Sequence, residues 1–191
     1  AETAFREAVE AGTIQFRLRA DGRNWPMPKQ SVTTQPERAN RVIALDGGGL
    51  QKSLFAPQYE ADFNQEERDV AVYLDAEETI RWWHRNVARS QYALQGWRRS
   101  KIYPDFIFAA QPDGSRTRIT VLETKGDQLA GNLDTTYKRA ALELMSEAFE
   151  WDDTVPAGDL ERVQPDGTTV TCELVLMSDW RTRLPGLIGE G

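Results

Sequence analysis

Residues 103–126, YPDFIFAAQPDGSRTRITVLETKG, carry the clearest structural signal in the chain. Two apolar runs flank the tetrapeptide PDGS, whose residue types are typical of a turn. The pattern predicts a β-hairpin with its turn near Gly114. With that centre, Asp105 lies opposite Glu123, and Lys125 shares the face of Glu123 because side chains alternate along a strand.

Two facing acids in a sheet require an explanation. Side chains that face each other across an antiparallel pair lie about 4.5–5.5 Å apart at Cβ, and like charges at that distance are destabilising. A divalent cation would offset the repulsion, and Mg²⁺ takes one or two carboxylates together with water and phosphate oxygens. Alternatively, Asp105 only marks a strand start after Pro104, and Glu123 and Lys125 form an exposed pair. The in-register placement on one hairpin favours the functional interpretation.

Periodicity and capping signals place the other elements around this hairpin. Helices are predicted over residues 1–12, 64–78 and 132–151, the second with Asn64 as its N-cap. Further strands are predicted over residues 13–20, 41–48, 79–87 and 167–177. The three glycines at 47–49 are predicted to form a turn, since no phosphate-loop Gly-Lys-Ser/Thr follows them. From residue 64 onward the predicted order is therefore α, β, β, β, α, β.

Residues 81–101 form a basic and aromatic stretch within an acidic chain of net charge −7. It holds six basic residues and no acid in 21 positions: Arg81, Arg85, Arg89, Arg98, Arg99 and Lys101. Trp82, Trp83, Tyr92 and Trp97 are interleaved with them. The stretch is either a solvated loop with buried aromatic side chains or a wall that contacts phosphates.

Length and composition narrow the class of protein. A chain of 191 residues, 40% hydrophobic and 28% charged, fits one globular domain of ordinary size. Its single cysteine, Cys172, lies in an apolar run and predicts a buried thiol, without a partner for a disulfide or a Cys-based zinc site. No apolar run has the length of a membrane helix and no signal segment opens the chain. The lone cysteine, which has no partner for an internal disulfide, predicts a cytoplasmic protein. The start AETAF, without Met, suggests a piece of a larger protein or a processed one.

The motif P-D…(D/E)-x-K on a hairpin in an αβββαβ order resembles the PD-(D/E)xK nuclease superfamily of restriction-type endonucleases. More narrowly, the chain resembles the C-terminal nuclease region of bacterial DEAD/DEAH-box helicases related to type III restriction enzymes. The segments that carry this likeness are LFAPQYEADFNQEERDVAVYLD, WWHRNVAR, QGWRRSKIYPDFIF and VLETKG, within roughly residues 54–150. The resemblance implies an α/β fold with a restriction endonuclease-like αβββαβ core, its mixed sheet flanked by helices, over residues 61–191. Residues 1–60 would be an N-terminal β-containing appendage packed on that core.

The resemblance also implies a catalytic site. Asp105 and Glu123 match the metal-binding acids, and Thr124 would add its backbone carbonyl as a ligand. Lys125 matches the lysine that positions or activates the attacking water. An acid from the preceding helix often joins them, and Glu67 fits that position, with Glu66 as its adjacent rival.

For Lys138 and His84 the sequence allows two interpretations each. Lys138 resembles a basic position on the helix after the motif that contacts phosphate, or it is a surface lysine. His84 either touches substrate or packs on Trp82.

The implied function is a Mg²⁺-dependent endonuclease, with Mn²⁺ as a substitute, that hydrolyses phosphodiester bonds. DNA is the expected substrate and RNA the alternative, with nucleic-acid contacts from Arg85, Arg89, Arg98, Arg99, Lys101 and Lys138. The expected context is a helicase–nuclease of restriction or anti-phage defence, whose helicase/ATPase region is the missing partner. A second interpretation is a catalytically inactive nucleic-acid-binding or docking module of a helicase. A third is a structural or protein-interaction domain.

Overall fold

A computed structural model describes residues 1–11, 40–112, 117–148 and 169–189. Its helices are α1 (Glu2–Glu10), α2 (Gln65–Ala76), α3 (Leu133–Ala148) and α4 (Trp180–Ile188). Its strands are β1 (Ile80–Arg85), β2 (Phe106–Ala110), β3 (Arg118–Lys125) and β4 (Thr169–Leu176). Short 3-10 turns at Glu60–Asp62 and Asp127–Leu129 precede α2 and α3. The predicted α, β, β, β, α, β order from residue 64 is confirmed.

The four strands form one mixed sheet in the order β1-β2-β3-β4. β1, β2 and β3 are antiparallel neighbours, whereas β4 runs parallel to β3 after the α3 crossover. Strand β2 is buried along all its residues, because helices and loops cover both faces of the sheet. The chain is therefore an α/β protein with a mixed sheet flanked by helices, as predicted.

From Phe106 to Ala110 the hairpin register agrees with the sequence prediction, whereas the predicted pair of Asp105 with Glu123 is not part of the regular ladder. Phe106 pairs with Leu122, and the ladder continues to Ala110 with Arg118. Beyond Phe106 the ladder becomes irregular, since the backbone N–H of Asp105 donates to the carbonyl of Leu122 at 2.9 Å. The tip of the predicted turn, residues 113–116, lies outside the described residues.

The sheet separates two hydrophobic clusters. On the α2 face, Val70 and Leu74 of α2 pack with Trp83, Phe106 and Leu122. On the other side, the α3 face, Tyr137 and Leu142 of α3 are buried in a cluster with Ile107, Val121 and the predicted buried thiol of Cys172. Alternating residues of the hairpin therefore face different helices.

The start of α2 follows the predicted capping signal. The Asn64 side chain accepts from the backbone N–H of Glu67 at 2.8 Å, and the Glu67 carboxylate accepts from the N–H of Asn64 at 3.0 Å. This capping box satisfies two N–H groups that the helix itself leaves unpaired. The capping box also fixes the position of the Glu67 side chain at the N-terminal end of α2.

The prediction of a strand over residues 41–48 is wrong. With the other described residues, the segment makes two isolated bridges, Arg41 with Tyr59 and Ile43 with Gly49. Gly47, at φ 83°, reverses the chain so early that Ile43 meets Gly49 of its own turn rather than another strand. The glycine turn itself is confirmed. The strand predicted over 13–20 lies outside the described residues.

Helix α4 was not predicted from the sequence. Pro185 and Gly186 lower its helical propensity, which hides the element from a propensity-based prediction. Its buried residues Trp180, Leu184 and Ile188 recur at a helical spacing that faces the α2-side cluster. No helix in the described parts of the chain is long and apolar enough to cross a membrane.

Candidate active site

Asp105 lies at the start of β2, where the hairpin ladder ends. Its Oδ2 accepts two hydrogen bonds from Thr124, one from the backbone N–H at 2.8 Å and one from the hydroxyl at 2.7 Å. Thr124 thus holds the Asp105 carboxylate in one orientation. Both of these contacts use Thr124 donors, and the role of its carbonyl as a metal ligand stays a prediction.

The carboxylate of Asp105 sits among other acids. Burial raises its pKa first, the charge of Glu123 raises it next, and a smaller contribution comes from Glu67, while the two Thr124 hydrogen bonds lower it. The net result is a pKa of about 6. The charges of Glu123 and Glu67 therefore both act on Asp105 at this end of the sheet.

Glu123 is buried, with 2% of its surface exposed. Its Oε1 accepts from the ammonium of Lys125 at 2.9 Å and from that of Lys138 at 2.7 Å. Its Oε2 is buried and has no hydrogen-bond partner among the described residues. A buried carboxylate oxygen without a partner is costly. The position of Oε2 therefore suits a ligand that would give this oxygen a partner.

Lys125 remains an ammonium at neutral pH. Burial by itself lowers its pKa, but the charge of Glu123 and the hydrogen bond to it outweigh burial, and the pKa is raised overall. A protonated lysine can stabilise negative charge and orient water, but it cannot accept a proton. Its chemical role is therefore electrostatic.

Glu67, not Glu66, faces the site. The Glu67 side chain is 12% exposed and pairs with Arg85, Nη2 to Oε2, at 3.1 Å. Glu66 is exposed on the same turn of α2. Arg85 stacks over the ring of Phe63 at 4.9 Å, so this arginine is half-buried beside the acids rather than on an open surface.

The donor set suits a hard cation. Within the described residues, no group of three His, Cys, Asp or Glu side chains is arranged to hold a metal. Mg²⁺, however, needs only one or two carboxylates, with water and substrate oxygens completing its shell. Asp105 and Glu123 supply that number, and Oε2 of Glu123 is an oxygen that no other described group contacts by a hydrogen bond.

The basic stretch divides into packed and exposed parts. Trp83 and Tyr92 are buried, whereas Arg89, Arg98, Arg99 and Lys101 are exposed. Arg98 stacks over the ring of Tyr137 at 4.3 Å, and its Nη2 donates to the carbonyl of Leu133 at 3.3 Å. Residues 95–101, which we call the basic loop, are thereby anchored on α3. The same helix carries Lys138, which contacts Glu123.

In the described part of the chain, the side-chain contacts of His84 are with groups other than the three acids. Its Nε2 hydrogen-bonds with the Gln91 side chain at 2.8 Å, and its ring packs edge-on against Phe55 at 5.4 Å. Burial lowers its pKa most, the Gln91 hydrogen bond raises it, and the charge of Arg85 lowers it further, so the net direction is downward. The ring contact of His84 is with Phe55, and its predicted packing on Trp82 stays a prediction.

The sequence analysis did not identify two residues near the site, Asn86 and Asp134. Buried Asn86 donates from its backbone N–H to the carbonyl of Asp105 at 2.8 Å and from Nδ2 to the carbonyl of Pro104 at 2.8 Å, so it positions the start of β2. Asp134, on α3, lies 3.7 Å from the ammonium of Lys138. Asn86 lay inside the strand predicted over residues 79–87, which hid its role, because β1 ends at Arg85. The i,i+4 spacing to Lys138 was the signal for Asp134.

Comparison with known proteins adds no identification. No protein-family model, no curated protein and no solved structure matches the chain.

Proposed function

We propose that this chain is a metal-dependent nuclease domain that hydrolyses phosphodiester bonds, built on a restriction endonuclease-like core. The observation that carries the proposal is the buried carboxylate of Glu123, whose Oε2 has no partner among the described residues, beside Asp105 and Lys125. Carboxylate oxygens next to a fixed ammonium are the groups that phosphodiester hydrolysis requires.

Asp105 and Glu123 would hold Mg²⁺ or Mn²⁺, with Glu67 and the Thr124 carbonyl as further oxygens of the site. When bound, the cation polarises a phosphoryl oxygen and activates water as a nucleophile. Lys125 supplies a fixed positive charge that stabilises the charge developing on the phosphate. Thr124 orients Asp105 through its two hydrogen bonds, and Asn86 orients the backbone that carries Asp105.

The substrate path follows the basic loop. Its exposed Arg99 and Lys101, with Arg89, can neutralise phosphates in the manner that dominates affinity for nucleic acids. The loop is anchored through Arg98 on Tyr137 of α3, the same helix that carries Lys138, the partner of Glu123. DNA is the proposed substrate, and an RNA strand offers the same phosphates. The helicase partner and a role in defence rest on the sequence resemblance.

A cleavage assay tests the proposal. The chain is incubated with plasmid and with oligonucleotides in Mg²⁺, Mn²⁺ or chelator. We expect cleavage with either metal and none with chelator, and none from Asp105→Asn or Glu123→Gln. Lys125→Ala should bind metal but lose activity by about 10²–10³-fold, because it removes charge stabilisation and no ligand.

One observation favours a second function, that of a nucleic-acid-binding module without catalysis. Lys125 and Lys138 together already compensate the charge of Glu123, so the fold does not need a cation to remain stable. That function predicts salt-dependent DNA binding with no cleavage, and no rise in melting temperature on addition of millimolar Mg²⁺ or Mn²⁺. These outcomes together would replace the nuclease proposal.

A further inference from the structure

The charged groups at the end of the sheet balance without a cation. Three carboxylates, Asp105, Glu123 and Glu67, lie beside three bases, of which Lys125 and Lys138 pair with Glu123 and Arg85 pairs with Glu67. The charges of these six groups sum to zero, and the more exposed Asp134, 3.7 Å from Lys138, is a fourth acid at the edge of the cluster. A divalent cation would add two positive charges next to these bases, so its binding favours release of a base from the acids.

The two lysines on Glu123 differ in how easily they can leave it. Lys125 lies two residues from Glu123 on strand β3, and Glu123 is its single ion-pair partner within the described residues. Lys138 comes from α3 and has a second acid, Asp134, at 3.7 Å one turn back along its helix. Asp134 is 57% exposed, and an acid placed four residues before a lysine is the favourable orientation for a helical pair. Lys138 can therefore leave the Glu123 carboxylate and still have the Asp134 carboxylate as an ion-pair partner.

We propose that Lys138 is an internal counter-ion that occupies the Glu123 carboxylate until the metal binds, and then transfers to Asp134. This inference rests on the proposed metal site. It assigns Lys138 a role different from direct contact with phosphate, since the lysine acts on cation binding before any nucleic acid is present. It also gives Asp134 a function, as the acid that receives the displaced ammonium.

The test measures cation binding without nucleic acid. Titration calorimetry with Mn²⁺, and with Mg²⁺, compares wild type with Lys138→Met, Lys138→Arg and Asp134→Asn. Lys138→Met removes the competing charge, so we expect Mn²⁺ to bind about tenfold more tightly, while the melting temperature without metal falls. Lys138→Arg keeps the charge and should bind Mn²⁺ as wild type does. Asp134→Asn removes the alternative partner and should weaken Mn²⁺ binding by about two- to fivefold.

The outcomes separate this inference from the proposed function. If wild type binds Mn²⁺ and cleaves, but Lys138→Met shows unchanged or weaker Mn²⁺ affinity, the counter-ion role is wrong and the nuclease proposal stands. If neither wild type nor Lys138→Met binds Mn²⁺ or Mg²⁺, both fail. If Lys138→Met does not fold, Lys138→Gln, which keeps a hydrogen-bond donor for Glu123, takes its place with the same expected gain in affinity.

Discussion

Asp105 is the residue on which the chemistry of the site depends most. Burial first, and then the charge of Glu123, raises its pKa to about 6, whereas an aspartate in an unfolded chain titrates near about 3.9. The stability contributed by such a group is fully present below the unfolded pKa and is lost as pH rises through the folded one. At neutral pH the ionised Asp105 therefore destabilises the metal-free fold.

Replacing Asp105 by Asn should remove this titration. We expect Asp105→Asn to be more stable than wild type at pH 8 by on the order of 1–3 kcal/mol, and the difference to disappear below about pH 4. Urea denaturation between pH 4 and pH 8 measures it, with exposed Glu66→Gln as the control. A stability difference that does not change over this range would contradict the assignment.

The same titration would govern binding at the proposed metal site, because a proton and a cation would compete for the Asp105 carboxylate. We expect Mg²⁺ to raise the melting temperature of wild type at pH 8 and to lose this effect as pH falls through about 6, the pKa of Asp105. Melting curves with and without Mg²⁺ at several pH values check the expectation. An equal shift at pH 5 and pH 8 would place the cation elsewhere.

At the scale of elements, the basic loop is the part of the chain that combines exposure with a fixed position. Arg98 is its anchor, since it stacks on Tyr137 and bonds to the Leu133 carbonyl, whereas Arg99 and Lys101 are exposed. A change of Arg98 would therefore disturb packing as well as charge. Arg99 and Lys101 are the cleaner probes of nucleic-acid contact.

We expect the double variant Arg99→Ala and Lys101→Ala to weaken DNA binding and to reduce its salt slope by about two units, since each lost phosphate contact removes about 0.9. Fluorescence anisotropy at several salt concentrations measures the slope. The matched control is Arg181→Ala with Arg183→Ala on α4, which removes the same charge from exposed positions outside the basic loop. Equal slopes for the two double variants would rule out the basic loop as the contact surface.

At the scale of the whole molecule, Asp75 connects the segment before α2 to the sheet. Its buried carboxylate accepts from the backbone N–H groups of Gln51 and Lys52 and from the indole N–H of Trp83, at 2.8–3.1 Å. Val42 and Leu50 of the same segment belong to the α2-side cluster. Residues 40–53 therefore share a hydrophobic core with α2 and β1.

Asp75→Ala should leave three donors without their acceptor and destabilise the chain by about 2–4 kcal/mol. Urea denaturation followed by tryptophan fluorescence and by circular dichroism measures the change. Both probes should shift together, because the anchor lies inside a shared core. Glu78→Ala, at an exposed position just after α2, should change stability by less than about 0.5 kcal/mol. An unaffected circular dichroism transition would show that the segment unfolds separately.

The sequence by itself determined those features that depend on neighbours along the chain. A turn near Gly114 sets which hairpin residues pair, because strand register follows from the position of the turn, and Phe106 does pair with Leu122. Asn64 and Glu67 are three residues apart, the spacing of a capping box, so the start of α2 was also readable. Apolar periodicity was enough to order the central helices and strands.

Only the tertiary structure decided which distant side chains share a charge or a hydrogen bond. Lys138 meets Glu123 because α3 docks across the sheet after its crossover, and Asp75 meets Gln51 because a glycine turn brings the segment back along α2. Periodicity shows that a helix has an apolar face, but not the angle at which that face packs. Of the two lysines on Glu123, Lys125 is its neighbour on β3 and was predicted to share its face, whereas Lys138 reaches it only through that docking.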